Sequence, residues 1–181
     1  MKNDRGIVLG TLLLLFALAI FSAGRFSSPR AGQLTPIAER HPAPALAVTD
    51  LAGQPWTLPQ HQGQIILINY WATWCGPCIE EAPGLAELAQ DPALKKLAIL
   101  GISLDSGGET PANRAKVEAF ARRFHINYPL AFATPALPLG PSFCIPTTVL
   151  GDRHGRIARL YEGAVRRNVF TADIQQLLAE P

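Results

Sequence analysis

The sequence predicts an α/β fold in which helices flank a central mixed β-sheet. From residue 45 onward, apolar segments of strand length alternate with amphipathic segments of helical length, an alternation typical of α/β layer folds. Residues 64–71 are almost continuously apolar and rich in β-branched side chains, which indicates a strand buried at the centre of the sheet. The predicted elements are a hairpin at 45–58, strands at 64–71, 96–104 and 128–132, helices at 76–90 and 111–125, a hairpin of 147–150 with 156–161, and a helix at 168–178.

Turn residues and helix signals justify the elements of the first half. A short turn at 50–53, ending in Gly53, closes the first hairpin. The helix at 76–90 carries Leu85 and Leu88 on one side, as expected for a helix that packs on a sheet. The next helix begins after a glycine-rich turn with Pro111, a residue favoured at the first helical position.

Proline and glycine also delimit the elements of the second half. Residues 134–141 contain too many prolines for a helix. The following strands, 147–150 and 156–161, are joined by a turn at 152–155 and are expected to pair as an antiparallel hairpin. Residues 168–178 then have the spacing of a last amphipathic helix.

The N-terminal 40 residues differ in composition from the rest of the chain. Residues 6–23 are uncharged and mostly apolar, about eighteen residues that approach the lower limit for spanning a bilayer. Lys2 and Arg5 precede them and favour a cytoplasmic N-terminus. The alternative is a cleaved signal peptide with a processing site at 22–24.

These features predict three regions. Residues 1–25 are expected to form a membrane anchor (or signal), residues 26–40 a proline-rich tether, and residues 41–181 one domain. The predicted location is the cytoplasmic (inner) membrane, crossed once, with the domain in the periplasm or at the cell exterior. The chain has 16 basic and 14 acidic residues, and a near-neutral protein lacks the basic patch of a nucleic-acid-binding protein.

The segment Trp74-Cys75-Gly76-Pro77-Cys78 carries the clearest chemical signal. Two thiols at this spacing can form and open a disulfide with little backbone movement. Cys75 is placed at the N-terminus of the predicted helix, where free N–H groups and the helix dipole favour a thiolate and hence a lowered pKa. The alternative, a structural zinc site, needs four ligands, and only Cys144 and four histidines without ligand spacing remain.

The motif and three further segments resemble one family. Residues 69–78 resemble the active-site segment of thioredoxin-like proteins. Glu81-Ala82-Pro83, Ile145-Pro146-Thr147-Thr148 and Gly155-Arg156-Ile157 narrow the resemblance to the TlpA/ResA/CcmG group of membrane-anchored thiol:disulfide oxidoreductases. The resemblance runs from about residue 41 to the C-terminus. It implies a thioredoxin-like three-layer fold with an N-terminal hairpin extension.

The resemblance also implies roles for individual residues. Cys75 would be the exposed nucleophile and Cys78 the resolving thiol of a redox-active disulfide. Pro146 would be a cis-proline that turns the Ile145 main chain toward the disulfide, where it pairs with a bound substrate strand. From its position next to the motif, Trp74 is expected to be a partly exposed apolar contact for a partner, with plain packing as the alternative.

Glu81 is the predicted proton-handling residue. It follows Cys78 by three residues, so helical spacing places the two on neighbouring faces. Thioredoxin has an aspartate in the strand before its motif, whereas this chain has Asn69, which cannot exchange protons. The alternative is a solvated helix glutamate like Glu80. Cys144, for which the family requires no thiol, is interpreted as a small buried apolar residue.

The predicted function is thiol–disulfide exchange, with reduction as the favoured direction. The resemblance implies protein disulfide substrates outside the cytoplasm, in cytochrome c maturation or copper-site assembly, and a membrane protein of the thiol-transfer type as electron donor. It implies neither a cofactor nor a metal. Two alternatives remain open: a thioredoxin-like copper chaperone, and a thiol peroxidase, which is weakened because position 72 is Ala rather than that family's Thr.

Overall fold

The computed structural model describes residues 31–134 and 144–181. Within these residues the chain forms seven strands and three α-helices. The strands are β1 (Ala47–Thr49), β2 (Pro55–Thr57), β3 (Ile65–Trp71), β4 (Leu97–Ser103), β5 (Leu130–Phe132), β6 (Thr147–Gly151) and β7 (Ile157–Glu162). The helices are α1 (Gly76–Ala89), α2 (Pro111–Arg123) and α3 (Arg167–Ala179).

The central sheet is mixed and has β3 in its middle. Its strand order is β5-β4-β3-β6-β7, and β1 and β2 form a separate hairpin. Strand β4 pairs parallel to β3 and to β5, whereas β6 pairs antiparallel to β3 and to β7. The predicted α/β fold and the order of its elements are therefore confirmed, with differences of one or two residues at most element ends.

The two faces of β3 pack against different layers. Ile65 and Leu67 point to one face, where they join a core with side chains of α1 and α3. Ile66 and Ile68 alternate to the other face and pack under the β1–β2 hairpin around Trp56. Because every residue of β3 is buried, this strand gives the segment that follows it a rigid starting point.

Three segments meet at one edge of the sheet. Strands β3 and β4 are parallel and both end there, at Trp71 and Ser103. Strand β6 runs the opposite way and begins at this edge, with Thr147 opposite Tyr70. The segment leading to Cys75 therefore lies beside the end of β4 and the start of β6.

The sequence predicts a tether at 26–40, but residues 31–40 lie against the domain. The Thr35 amide donates a hydrogen bond to the Ala158 carbonyl of edge strand β7 (2.8 Å). The Arg40 side chain is 1% exposed and forms ion pairs with Asp152 (3.2 Å) and Glu180 (2.6 Å). Proline content indicates an extended chain but does not reveal long-range ion pairs, so the boundary of the domain lies earlier than residue 41.

The predicted membrane anchor (residues 1–25) and nearly all of the proline-rich stretch at 134–141 lie outside the described residues. Residues 1–30 and 135–143 belong to that part of the chain. Among the residues described, no helix combines the length and the apolar character needed to cross a membrane.

Candidate active site

Cys75 and Cys78 form a disulfide at the N-terminus of α1. Their sulfur atoms are 2.06 Å apart. Cys75 is the N-cap residue of the helix, and its Sγ accepts a hydrogen bond from the Cys78 amide (3.2 Å). When the pair is reduced, the same amide and the positive end of the helix dipole face the Cys75 sulfur, which favours a thiolate there.

Both cysteines are covered, whereas the tryptophan before them is not. Cys75 is 4% and Cys78 is 3% exposed, so the exposed Cys75 that the resemblance implied is not seen in the disulfide form. Both lie in an apolar cluster with Trp71 and Ala82. Trp74 is 66% exposed, which makes it the prominent apolar side chain beside the disulfide.

The segment before β6 lies against this cluster. The peptide bond between Ile145 and Pro146 is cis. The Ile145 side chain is half-buried and packs on the cluster that contains the two cysteines. The Pro146 carbonyl accepts a hydrogen bond from the Gly163 amide (2.8 Å), which ties this segment to the end of β7.

Glu81 is buried one turn after Cys78 on α1. Its residue surface is 4% exposed. Its Oε2 accepts a hydrogen bond from the Asn69 amide nitrogen (2.8 Å), and its Oε1 accepts one from the Val165 backbone (2.8 Å). Burial raises the pKa of Glu81 to about 7, although these two hydrogen bonds act in the opposite direction. A carboxyl group of this pKa can both take up and release a proton near neutral pH.

Asn69 connects Glu81 to the neighbouring strand. The same Asn69 nitrogen also donates to the Thr148 hydroxyl on β6 (2.9 Å). Tyr128 is close enough to be affected by this group: burial and, to a smaller extent, the Glu81 carboxylate raise its pKa. Glu81 thus has fixed partners on β3 and on the loop before α3, unlike the exposed Glu80 beside it.

Asp105 is a buried acidic residue that the sequence analysis did not identify. It is 6% exposed and follows β4 by two residues. Its carboxylate accepts hydrogen bonds from Thr73 and Ser103. An Asp at the carboxyl end of a predicted central strand, next to the motif strand, is the signal that could have revealed it.

Cys144 differs from its interpretation as a buried apolar residue, because the structure places it as a free, exposed cysteine. It comes directly before the turn into β6, so strand alternation does not determine its direction. Its carbonyl accepts a hydrogen bond from the Thr147 hydroxyl (2.6 Å). In the part of the chain that the structure describes, no group of three or more His, Cys, Asp or Glu residues is arranged to hold a metal ion.

Comparison with known proteins agrees with this geometry. A model of the AhpC/TSA family matches residues 40–179. The thiol-disulfide oxidoreductase ResA of Geobacillus thermodenitrificans is 30% identical over 183 residues, which cover 98% of this chain and 97% of the relative. ResA of Geobacillus kaustophilus is 29% identical over 182 residues, covering 98% of this chain and 99% of the relative.

A solved structure shares the fold. The thiol:disulfide interchange protein of the thioredoxin family from Chlorobium tepidum TLS has a TM-score of 0.67 at 24% identity, covering 80% of this chain and all of its own. The thioredoxin-like fold that the resemblance implied is therefore confirmed. By its family match, its relatives and its Cys75–Cys78 pair, this chain is a thiol-disulfide oxidoreductase that belongs to the AhpC/TSA family.

Proposed function

We propose that the protein reduces disulfides of partner proteins outside the cytoplasm while residues 1–25 hold it to the cytoplasmic membrane. The observation that carries the chemistry is the disulfide at the N-terminus of α1, one helical turn from a buried carboxyl group that titrates near neutral pH. The proposed location is supported by the apolar run at 6–23 and by Lys2 and Arg5 before it.

The reaction starts from the reduced pair. The Cys75 thiolate attacks one sulfur of the partner disulfide, a new bond forms between Cys75 Sγ and that sulfur, and the partner's other sulfur leaves as a thiolate that takes up a proton. The Cys78 amide and the helix N-terminus stabilise the attacking thiolate before this step.

The mixed disulfide is then resolved within the protein. Cys78 loses its proton and attacks Cys75 Sγ, which restores the Cys75–Cys78 disulfide and releases the second partner thiolate. Two electrons have passed to the partner, whose two sulfurs end as thiols. Glu81 is proposed to take the Cys78 proton, since it lies one turn along the same helix and its pKa is about 7.

The partner docks beside the disulfide. Trp74 is proposed to offer its exposed apolar side chain. The main chain around Ile145, which packs on the cluster that contains the cysteines, is proposed to offer backbone groups, in the way that an added strand binds a sheet edge. Such recognition uses apolar and main-chain contacts, which suits a protein of nearly balanced charge.

The catalytic cycle requires a source of electrons. A membrane protein of the thiol-transfer type is proposed to reduce the Cys75–Cys78 disulfide after each turnover. Cysteine pairs of apocytochrome c, or of a copper-site protein of a terminal oxidase, are the proposed substrates.

Trapping the mixed disulfide tests the proposal. With Cys78→Ala, the bond between Cys75 and the partner cannot be resolved, so the partner should remain attached and be released by reductant. Cys75→Ala is the matched control and should trap nothing. If Cys75→Ala traps partners as well as Cys78→Ala does, the assignment of the nucleophile is wrong.

Two measurements on cells test direction and location. The Cys75–Cys78 pair should be found mostly reduced in growing cells if the protein works as a reductase, and a mostly oxidised pair would contradict that direction. The full chain should remain with membranes after alkaline extraction, and its domain should be accessible to protease in cells stripped of their outer layers. Release of the chain by alkaline extraction would exclude the proposed anchor.

A further inference from the structure

A buried carboxylate at the end of β4 holds the segment that leads to Cys75. Asp105 Oδ1 accepts a hydrogen bond from the Thr73 hydroxyl (2.5 Å), and Asp105 Oδ2 accepts one from the Thr73 amide (3.2 Å). Oδ2 also accepts from the Ser103 hydroxyl (2.7 Å), while the Ser103 oxygen accepts from the Asp105 amide (3.2 Å). Both carboxylate oxygens are therefore engaged, and Thr73 is held by its backbone and by its side chain.

The arrangement resists opening for an electrostatic reason. Hydrogen bonds to an ionised acceptor are stronger than those between neutral groups. Releasing Thr73 would remove two of the three donors to a carboxylate that is 6% exposed and would leave Ser103 as its remaining donor, and a buried polar group that loses hydrogen bonds is costly. Thr73 and Asp105 therefore stabilise each other's position.

Thr73 directly precedes the residues that are proposed to contact a partner. Trp74, 66% exposed, follows Thr73, and Cys75 follows Trp74. The Cys75 amide also donates to the Ala72 carbonyl (3.2 Å), so the residues on both sides of Trp74 are fixed. Asp105 follows β4, whereas the motif follows β3, so the segment before Cys75 is held by a residue from another part of the sheet.

We propose that Asp105 is a positioning residue for thiol–disulfide exchange. By holding Thr73, it fixes the position of Trp74 for contact with a partner and the position of the Cys75 sulfur relative to Cys78. The proposal rests on exchange through Cys75 and adds to it a residue about thirty positions away in sequence. If Asp105 did not hold residues 73–75, Cys75 would sample more positions and the effective concentration of its thiol at Cys78 would fall. The Cys75–Cys78 disulfide would then be less favoured relative to the dithiol.

Equilibration with dithiothreitol measures this directly. Dithiothreitol gives two electrons to the Cys75–Cys78 disulfide and is itself oxidised to its cyclic disulfide. Thr73→Val removes the hydroxyl donor at nearly constant volume, and Asp105→Asn leaves a single acceptor oxygen in place of two. Each variant should shift the equilibrium about three- to tenfold toward the dithiol. Thr73→Ser, which keeps the hydroxyl, should stay close to the wild type.

The control is a buried carboxylate of similar kind on α3. Asp173 is fully buried and accepts hydrogen bonds from Arg159 and Tyr161. Asp173→Asn should lower stability while leaving the dithiothreitol equilibrium unchanged. Circular dichroism of each oxidised variant establishes that it is folded before it is compared.

The double variant completes the test. Because Thr73 and Asp105 act through one contact, combining Thr73→Val with Asp105→Asn should shift the equilibrium less than the product of the single shifts. The proposal would be overturned if both single variants fold and have the dithiothreitol equilibrium of the wild type. It would also be overturned if the shift in the double variant equals the product of the two single shifts. A wild-type protein that exchanges no electrons with dithiothreitol would instead contradict the oxidoreductase function itself.

Discussion

Replacing Glu81 with glutamine should remove a defined part of the pH dependence of stability. Glu81 is 4% exposed, and burial raises its pKa from an ordinary value of 4.5 to about 7. Below pH 4.5 the carboxyl group is protonated in the folded and in the unfolded chain, so it makes no difference between them. Between these two values the unfolded chain releases the proton while the folded chain retains it, and stability therefore falls as the pH rises.

The size of the loss follows from the two pKa values. A difference of one pKa unit corresponds to about 1.4 kcal/mol, so the shift from 4.5 to about 7 corresponds to roughly 3 kcal/mol. Above pH 7 the loss is complete and constant. The glutamine side chain of the Glu81→Gln variant cannot ionise, so the free energy of unfolding of the variant, relative to the wild type, should increase by about 3 kcal/mol between pH 4 and pH 8.

Urea denaturation of the oxidised protein at a series of pH values measures this difference. The disulfide stays closed, so neither Cys75 nor Cys78 titrates during the experiment. Glu80→Gln is the matched control, because Glu80 is the preceding helix residue and is exposed. If the Glu81→Gln and wild-type curves run parallel from pH 4 to pH 8, the carboxyl group does not have the raised pKa on which the proposed proton transfer depends.

Two further predictions concern contacts that hold the domain together. Arg40→Leu should lower the free energy of unfolding by about 1–3 kcal/mol, because Asp152 and Glu180 both lose a charged donor while Asp152 keeps its ion pair with Arg156. Arg114→Leu, whose ion pairs with Glu109 and Glu118 are exposed, should change little in the same urea titration. Gly101→Ala should cost about 1–3 kcal/mol, since its new Cβ would lie 2.5 Å from Leu130 Cδ2 and 3.1 Å from Trp71 Nε1. Gly76→Ala is its control, because no atom outside the adjacent residues and the backbone of its own helix lies within 4 Å of the added Cβ. Equal stability losses would contradict the packing argument.

Local sequence patterns were sufficient to predict the framework of the fold. The apolar run at 64–71 is the central strand because a strand covered on both faces has no place for polar residues. Gly76 and Pro77 start α1 where the motif placed them, so the position of the cysteines at the helix N-terminus was predictable from the local pattern, and the family resemblance implied their disulfide. The hydrogen-bonding environment of Glu81 was not, because its partners Asn69 and Val165 lie 12 and 84 residues away.

Features that depend on register and long-range charge pairs were not predicted. The contact of Asp105 with Thr73 exists because β3 and β4 pair so that Trp71 lies opposite Ser103, and the sequence does not specify that register. Cys144 is exposed because a turn, rather than the regular alternation of β6, determines its direction. The ion pairs of Arg40 were also not predicted, because their partners Asp152 and Glu180 are more than 100 residues away in sequence.

With residues 1–25 in the membrane, as proposed, the attachment of residues 31–40 to the domain would shorten the distance that the domain can move away from the membrane. Among the residues that the structure describes, the first contact with the rest of the domain is the Gly32 amide, which donates to Asp173 in the middle of α3. With the apolar run in the membrane, as proposed, eight residues (24–31) connect it to this contact, and they span at most about 26–29 Å. That distance is less than the diameter of the domain itself, about 37 Å by the usual scaling of size with length. The enzyme would then search for its partners in two dimensions along the membrane surface, and a substrate would be reduced only when it is held near that surface.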